Sequence, residues 1–353
     1  MKPVFLAGRG LACALGLNVD SALEALQRGD ITTSCYSLPG ASGGRFPYHA
    51  ISYTHDDWNE RARALVRRVT DEAGAQQARS GVLFIATSSY DIGAEERGAT
   101  ERNYSAFADK IAAWLEWTGP VYVINTACTS SLNALIAAHA LLQAGDVAEA
   151  LVLGVELNNR LTMGGFAALQ LLTHSDSKPF GEHRDGLVLG EAVAALRLST
   201  RVSSHWQMLG GANVVDGRQP TGASASAVAS MYQGALAASG LTAEMIDLIK
   251  VQAAGSPGND AIEAHGLRNA FATMPPLVSL KAAMGHTMGA SGAAEIALLT
   301  ACLEQGGWPK YGDAVDATLG VELAARQPES VSHCMATILG FGGSHATVVL
   351  ARA

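Results

Sequence analysis

Residues 124–145 read INTACTSSLNALIAAHALLQAG. The β-type run YVINTA stops at Cys128, and the stretch from Ser131 to Gly145 reads as a helix that begins directly after it. A thiol at such a junction sits beside the unpaired amide donors and the positive end of the helix dipole, both of which favour a thiolate. A thiolate there can attack a thioester and hold the acyl group. Taken alone, the stretch fits the plainer reading at least as well, because a free cysteine is often a small buried hydrophobe.

The same strand-then-helix order repeats outward from Cys128. Before it, PVFLAG is a predicted strand, GRGLACALGLN a glycine-bearing connection, and VDSALEALQRG a short helix. A longer helix is expected at WNERARALVRRVTDEAGAQQA, a buried strand at GVLFIATSS and a helix at YSAFADKIAAWLEWTG. After it, EALVLGVELN and EAVAALRL read as strands. From Trp206 the order starts again: WQMLGGANV, IDLIKVQA and PLVSL as strands, SASAVASMYQGALAASG, DAIEAHGLRNAF and SGAAEIALLTACLEQ as helices, and CMATILGFGGSHATVVL as two strands around a glycine turn. Continuous apolar strands alternating with helices imply sheets covered on both faces. The expected division is a half over 1–200 carrying Cys128 and a half over 201–353; periodicity leaves open whether the two share one topology. A dinucleotide-binding turn at GRGLACALG fails because Cys13 stands where the third glycine is required.

Composition narrows the class. The chain has 353 residues, 48% hydrophobic, with 38 glycines, enough for a large core or two packed halves. A net charge of -8 argues against a nucleic-acid partner, which needs concentrated positive charge. Cys13, Cys35, Cys128, Cys302 and Cys334 lack metal-ligand spacing, so neither a zinc site nor a disulfide framework is expected. The opening MKPVFLAGRG is read as a buried strand rather than a secretory leader, and no apolar stretch reaches membrane-spanning length, so a cytoplasmic protein is expected.

Several motifs in order then carry a resemblance. INTACTSS places Cys128 at a nucleophile position. SDSKPFGEHRDGLVLGEAVAALRL supplies Pro179, Phe180, Arg184, Asp185, Gly186, Gly190 and Glu191, SLKAAMGHTMGASGAAE supplies Lys281, His286 and Glu295, and ILGFGGSHATVVL supplies Phe341, with His345 where an asparagine is common. On these residues the chain resembles the β-ketoacyl-acyl-carrier-protein synthases of the thiolase superfamily, which include polyketide ketosynthases and their chain-length factors. The resemblance runs from the first strand to the last. It implies an α/β thiolase fold, two similar halves in a layered α-β-α-β-α architecture, and no tightly bound cofactor, the phosphopantetheine of a carrier protein being the substrate arm.

The resemblance also exposes a departure. An active decarboxylating member brings a cysteine and two histidines together, the first histidine in a His-Gly-Thr-x-Thr-Pro motif with an acidic residue three positions on. Here the segment reads IDLIKVQAAGSPGNDAIEAHG, so Pro257 and Asp260 align, Glu263 follows, and Gln252 falls at the histidine position with Ala253 and Ala254 after it. His265 could fill the role only by a shift that displaces Asp260 and Glu263, and is read as a surface or packing residue. Glutamine donates a hydrogen bond but exchanges no proton near neutral pH. Cys128, His286 and Lys281 would retain a vestigial or acyl-transfer role, while Phe341, Glu295, Asp260 and Glu263 would form the acyl pocket or support it.

The resemblance thus implies a condensation-impaired, chain-length-factor-like subunit that shapes the acyl tunnel of a catalytically complete ketosynthase, in a heterodimer or assembly of dimers served by an acyl carrier protein. An aryl-polyene-type system is the context it suggests. A cysteine-dependent acyltransferase or divergent synthase is the alternative. In RARALVRR, Arg61, Arg63, Arg67 and Arg68 either meet an acidic carrier or form the solvated face of a helix.

Overall fold

The computed structural model describes residues 2–39, 44–98, 104–218 and 221–353. In the first half these form β1 (Val4–Cys13), α1 (Val19–Arg28), β2 (Ser34–Ser37), β3 (Arg45–His49), α2 (Trp58–Glu72), β4 (Val82–Ala86), α3 (Ile92–Glu95), α4 (Tyr104–Leu115), β5 (Val121–Ile124), α5 (Ser130–Ala144), β6 (Glu149–Glu156), α6 (Arg160–Ala168), β7 (Leu189–Gly190) and β8 (Ala192–Ser199). The second half supplies β9 (Trp206–Val215), α7 (Ala225–Ser239), β10 (Leu248–Lys250), α8 (Pro257–Ala270), β11 (Leu277–Val278), α9 (Lys281–Met284), α10 (Ser291–Gln305), β12 (His333–Leu339) and β13 (Ser344–Arg352).

Ten strands join in the order β11-β10-β12-β13-β9-β1-β8-β6-β4-β5. The order is the same read inward from either edge: three parallel strands, then two that alternate in direction. The halves therefore do share one topology. They meet where β1 pairs antiparallel with β9, Val4 opposite Met208 and Phe5 opposite Gln207.

Strand alternation sorts the side chains into layers. Phe84, Val152, Leu248 and Ala336 face a central core, and their neighbours face outward: Leu83 and Leu151 into a core under α2 and α4, Ile249 and Met335 into one under α7 and α8. Between the sheet halves lie α5 and α10, which touch each other and strands of both halves. Every residue of α10 from Ser291 to Leu303 is buried, as expected of a helix with sheet on both sides. This is the layered α-β-α-β-α arrangement.

Local departures from the sequence reading have physical causes. The supposed connection at GRGLACALGLN is mostly strand, since β1 continues to Cys13. Its glycines are there for contact, not for turning: a Cβ at Gly8 would lie 2.1 Å from the Ala73 carbonyl oxygen, and one at Gly10 2.0 Å from that of Val69. The helix α6 and the small sheet β2-β3-β7 had no expectation attached, and PLVSL pairs only over Leu277–Val278.

The basic helix also departs from the sequence reading. Arg61 is buried, its guanidinium gripping both Glu191 oxygens at 2.6 and 2.9 Å, and so is unavailable to a carrier protein. Arg63 pairs with Glu60, while Arg67 and Arg68 are exposed. Among the described residues, no helix is long and apolar enough to cross a membrane.

Candidate active site

The carboxyl end of β5 leads into the turn that presents Cys128. Ala127 there adopts φ 52, a left-handed conformation that costs a non-glycine residue about 1 kcal/mol or more. Ser130 holds the turn by donating to the Ala127 carbonyl at 2.6 Å and accepting from the Thr126 amide at 3.0 Å. Cys128 Sγ then lies 3.0 Å from His286 Nε2. The imidazole is fixed from behind by Ser291, whose Oγ is 3.2 Å from Nδ1, and its backbone is tied to Val188 and Gly190. Met288, two residues on, also has a positive φ, 42.

The second wall is the chain leaving β10. Glu263 of α8 accepts the Gln252 and Ala253 amides, both at 2.7 Å, and Asp260 accepts those of Ala254, Gly255 and Phe180. Two carboxylates one helical turn apart thus hold a segment that has left the sheet and would otherwise bury unpaired amides. Burial nonetheless pushes Asp260 up to about 6 and Glu263 to about 8. Gln252 is buried, and its Oε1 has no hydrogen-bond partner.

Cys128, Gln252, Asp260, His286 and Phe341 line one cavity of about 20 Å³, together with Phe166, Leu187, Ala254, Ser256, Asn259 and Leu339. That is room for about one water molecule. Phe341 and Phe166 stack along one side of it with ring centroids 5.2 Å apart. Lys281 and Glu295 stand behind His286 as a fully buried ion pair, and His265 faces solvent on α8. His345 is buried with neither ring nitrogen hydrogen-bonded.

The electrostatics differ from the expectation of a thiolate stabilised by a helix dipole. Burial pushes the Cys128 thiol up to about 11, and the Lys281 ammonium and the Phe341 and Cys128 amides oppose this only in part. Cys13 is raised to a similar value, so acidity does not set Cys128 apart; an imidazole within hydrogen-bond reach does. Burial and then the Lys281 and Lys250 charges hold His286 well below the usual imidazole range. The resting pair is a neutral thiol and a neutral ring.

Phe166, Ser291, Glu156 and Lys250 were missed from the sequence. Glu156 accepts from Ser88 and Ser89 beneath the site, and its charge raises the Cys128 thiol. Lys250 alone gave a legible signal, a lysine inside the apolar run LIKV. The others lie in segments whose composition does not distinguish them.

Residues 74–203 match the model for the beta-ketoacyl synthase N-terminal domain, and residues 208–313 that for its C-terminal domain. The chain is 30% identical over 260 residues to a 3-oxoacyl-[acyl-carrier-protein] synthase 2 from Vibrio cholerae, covering 66% of this chain. It spans less than two thirds of the curated relatives it matches: 63% of the Vibrio enzyme and 11% of a non-reducing polyketide synthase from Macrophomina phaseolina. In structure it superposes on a chain of the ketosynthase ApeO and chain length factor ApeC complex from Xenorhabdus doucetiae with TM-score 0.84 and 22% identity, covering 100% of this chain and 98% of that one. A type II polyketide ketosynthase in complex with its acyl-carrier protein gives TM-score 0.87 at 19% identity, with both chains fully covered. These likenesses establish the thiolase fold.

Proposed function

Because the chain belongs to the beta-ketoacyl synthase family, we propose that it is a condensation-impaired, chain-length-factor-like subunit, shaping the acyl tunnel of a partner synthase in type II fatty-acid or polyketide-like biosynthesis. The observation that carries this reading is Gln252, in the cavity with Cys128 and His286. Decarboxylating a malonyl thioester develops negative charge on an enolate oxygen, and the donors aimed at that oxygen set the rate. Here the cavity offers one imidazole, held neutral and engaged with the thiol, and at the position of the second an amide, Gln252. Losing a donor of this kind costs roughly 10²–10³ in rate.

Partner and carrier belong to the same proposal. β5 ends the sheet, and among the described strands none pairs with its outer side; Tyr122 on it is 51% exposed. An open strand edge that ends four residues before the cysteine is a natural seat for a second subunit. A carrier's phosphopantetheine would bring the acyl group, and since the cavity holds only about one water, it reaches Cys128 when the Phe166–Phe341 stack parts.

The 3.0 Å contact between Cys128 and His286 supports a second reading, a cysteine-dependent acyltransferase. His286 Nε2 accepts the thiol proton and Sγ attacks the thioester carbonyl. The oxyanion that forms is met by the Phe341 and Cys128 amides, which already point at the sulfur. The carbon–sulfur bond to pantetheine then breaks, and its thiolate takes the proton from His286.

The test is intact-mass analysis of the purified chain with acyl- and malonyl-carrier thioesters, alone and as the native complex. We expect no β-ketoacyl product from the chain alone; condensation by the isolated chain would overturn the first reading. Acylation that vanishes in Cys128→Ser and passes to an acceptor would favour the second.

A further inference from the structure

Lys250 closes β10 on the face that looks into the central layer, as its neighbours show: Leu248 belongs to the central core and Ile249 to the outer one. Its ammonium donates to Glu295 Oε2 at 2.8 Å and to the Thr337 carbonyl at 2.6 Å. The other Glu295 oxygen receives Lys281. All three side chains are fully shielded from solvent. One lysine neutralises the carboxylate, and the second is an excess cation, which is costly to keep inside a protein.

We infer that Lys250 is a positioning residue for the Cys128–His286 pair, placing a second buried cation on Glu295 so that the layer behind the imidazole carries net positive charge. The charge acts on His286 in the same sense as burial and Lys281, keeping the ring neutral and Nε2 free to accept the thiol proton. The other titratable groups around the pair are accounted for. Glu156 from β6 acts on the thiol in the opposite sense, and His49 from β3 is itself lowered to about 4 by burial. From α8, Asp260 lines the same cavity with its carboxylate engaged by the Ala254, Gly255 and Phe180 amides, and Glu263 accepts the Gln252 and Ala253 amides. Burial brings Lys250 down to about 8, with Glu295 opposing, so the excess charge is present at neutral pH and below. In effect the segment with glutamine at 252 carries a buried cation two residues earlier, at the end of β10. This inference rests on the Cys128–His286 pair and not on any partner.

The test uses the full chain alone, with alkylation of Cys128 by iodoacetamide followed by peptide mass from pH 5 to 9. With a neutral imidazole as base, the rate falls on the acid side as His286 takes a proton. Lys250→Met is expected to move that midpoint up by about one pH unit, while Lys250→Arg, which keeps the charge, leaves it in place. A midpoint unmoved in Lys250→Met would overturn the inference, whatever happens to stability. Should Lys250→Met not fold, Lys250→Gln is read in the same way: a midpoint raised relative to Lys250→Arg is expected, and one shared by Lys250→Gln and Lys250→Arg overturns the inference. Neither measurement needs turnover, so its failure is separable from failure of the chain-length reading.

Discussion

A glutamine facing a cysteine across a cavity the size of a water molecule can position a substrate but cannot trade a proton with it. Gln252→His therefore tests the residue on which the proposal turns. If the missing imidazole is what limits decarboxylation, the variant should release carbon dioxide from malonyl-carrier thioester about 10²-fold faster than the unaltered chain in the same complex. No gain would mean that the limit lies elsewhere, with Ala253 and Ala254 or the Phe166–Phe341 stack the next residues to vary. Gln252 and Cys128 were legible because each sits at a fixed offset in a local motif. Ser291 acts on His286 from a segment whose composition does not distinguish it, and Lys250 shows only as a lysine in an apolar run, its partner Glu295 lying 45 residues away.

Elements were legible where one physical rule dominated. The buried strands around Phe84 and Val152 and the all-buried helix α10 announce themselves by composition. β1 misled because glycine has two uses: the sequence suggested a turn, but the backbone of α2 comes so close that no Cβ fits. Gly10→Ala should accordingly destabilise the fold by about 1–3 kcal/mol, read as a lower urea midpoint with an unchanged slope. An unchanged midpoint would mean that α2 can withdraw from β1 at little cost. The arginines of α2 misled for a related reason. Helix periodicity places Arg61 on the same face as Leu65, and the partner that makes its burial tolerable, Glu191, lies 130 residues away.

Across the whole molecule, buried ionisable groups set how stability changes with pH. Glu263 has its folded value raised to about 8 from 4.5, so the stability it contributes is full below about 4.5 and is lost as pH rises through 8. His49, lowered from 6.5 to about 4, contributes stability above 6.5 that is lost as pH falls toward 4. Between pH 6.5 and 8 only the Glu263 effect operates of these two. The thermal midpoint should fall across that window, and fall less in Glu263→Gln; equal slopes in the two chains would remove Glu263 as the cause. At the same scale, the open edge at β5 and Gln252 in the cavity are what support the proposal that this chain shapes what a partner synthase makes. The most direct test isolates the native complex, reconstitutes its condensing partner with and without this chain, and measures product chain length from carrier-bound starter and malonyl units. The expected result is a changed product length, or no product, when the chain is left out. The same products at the same rate without it would contradict the account.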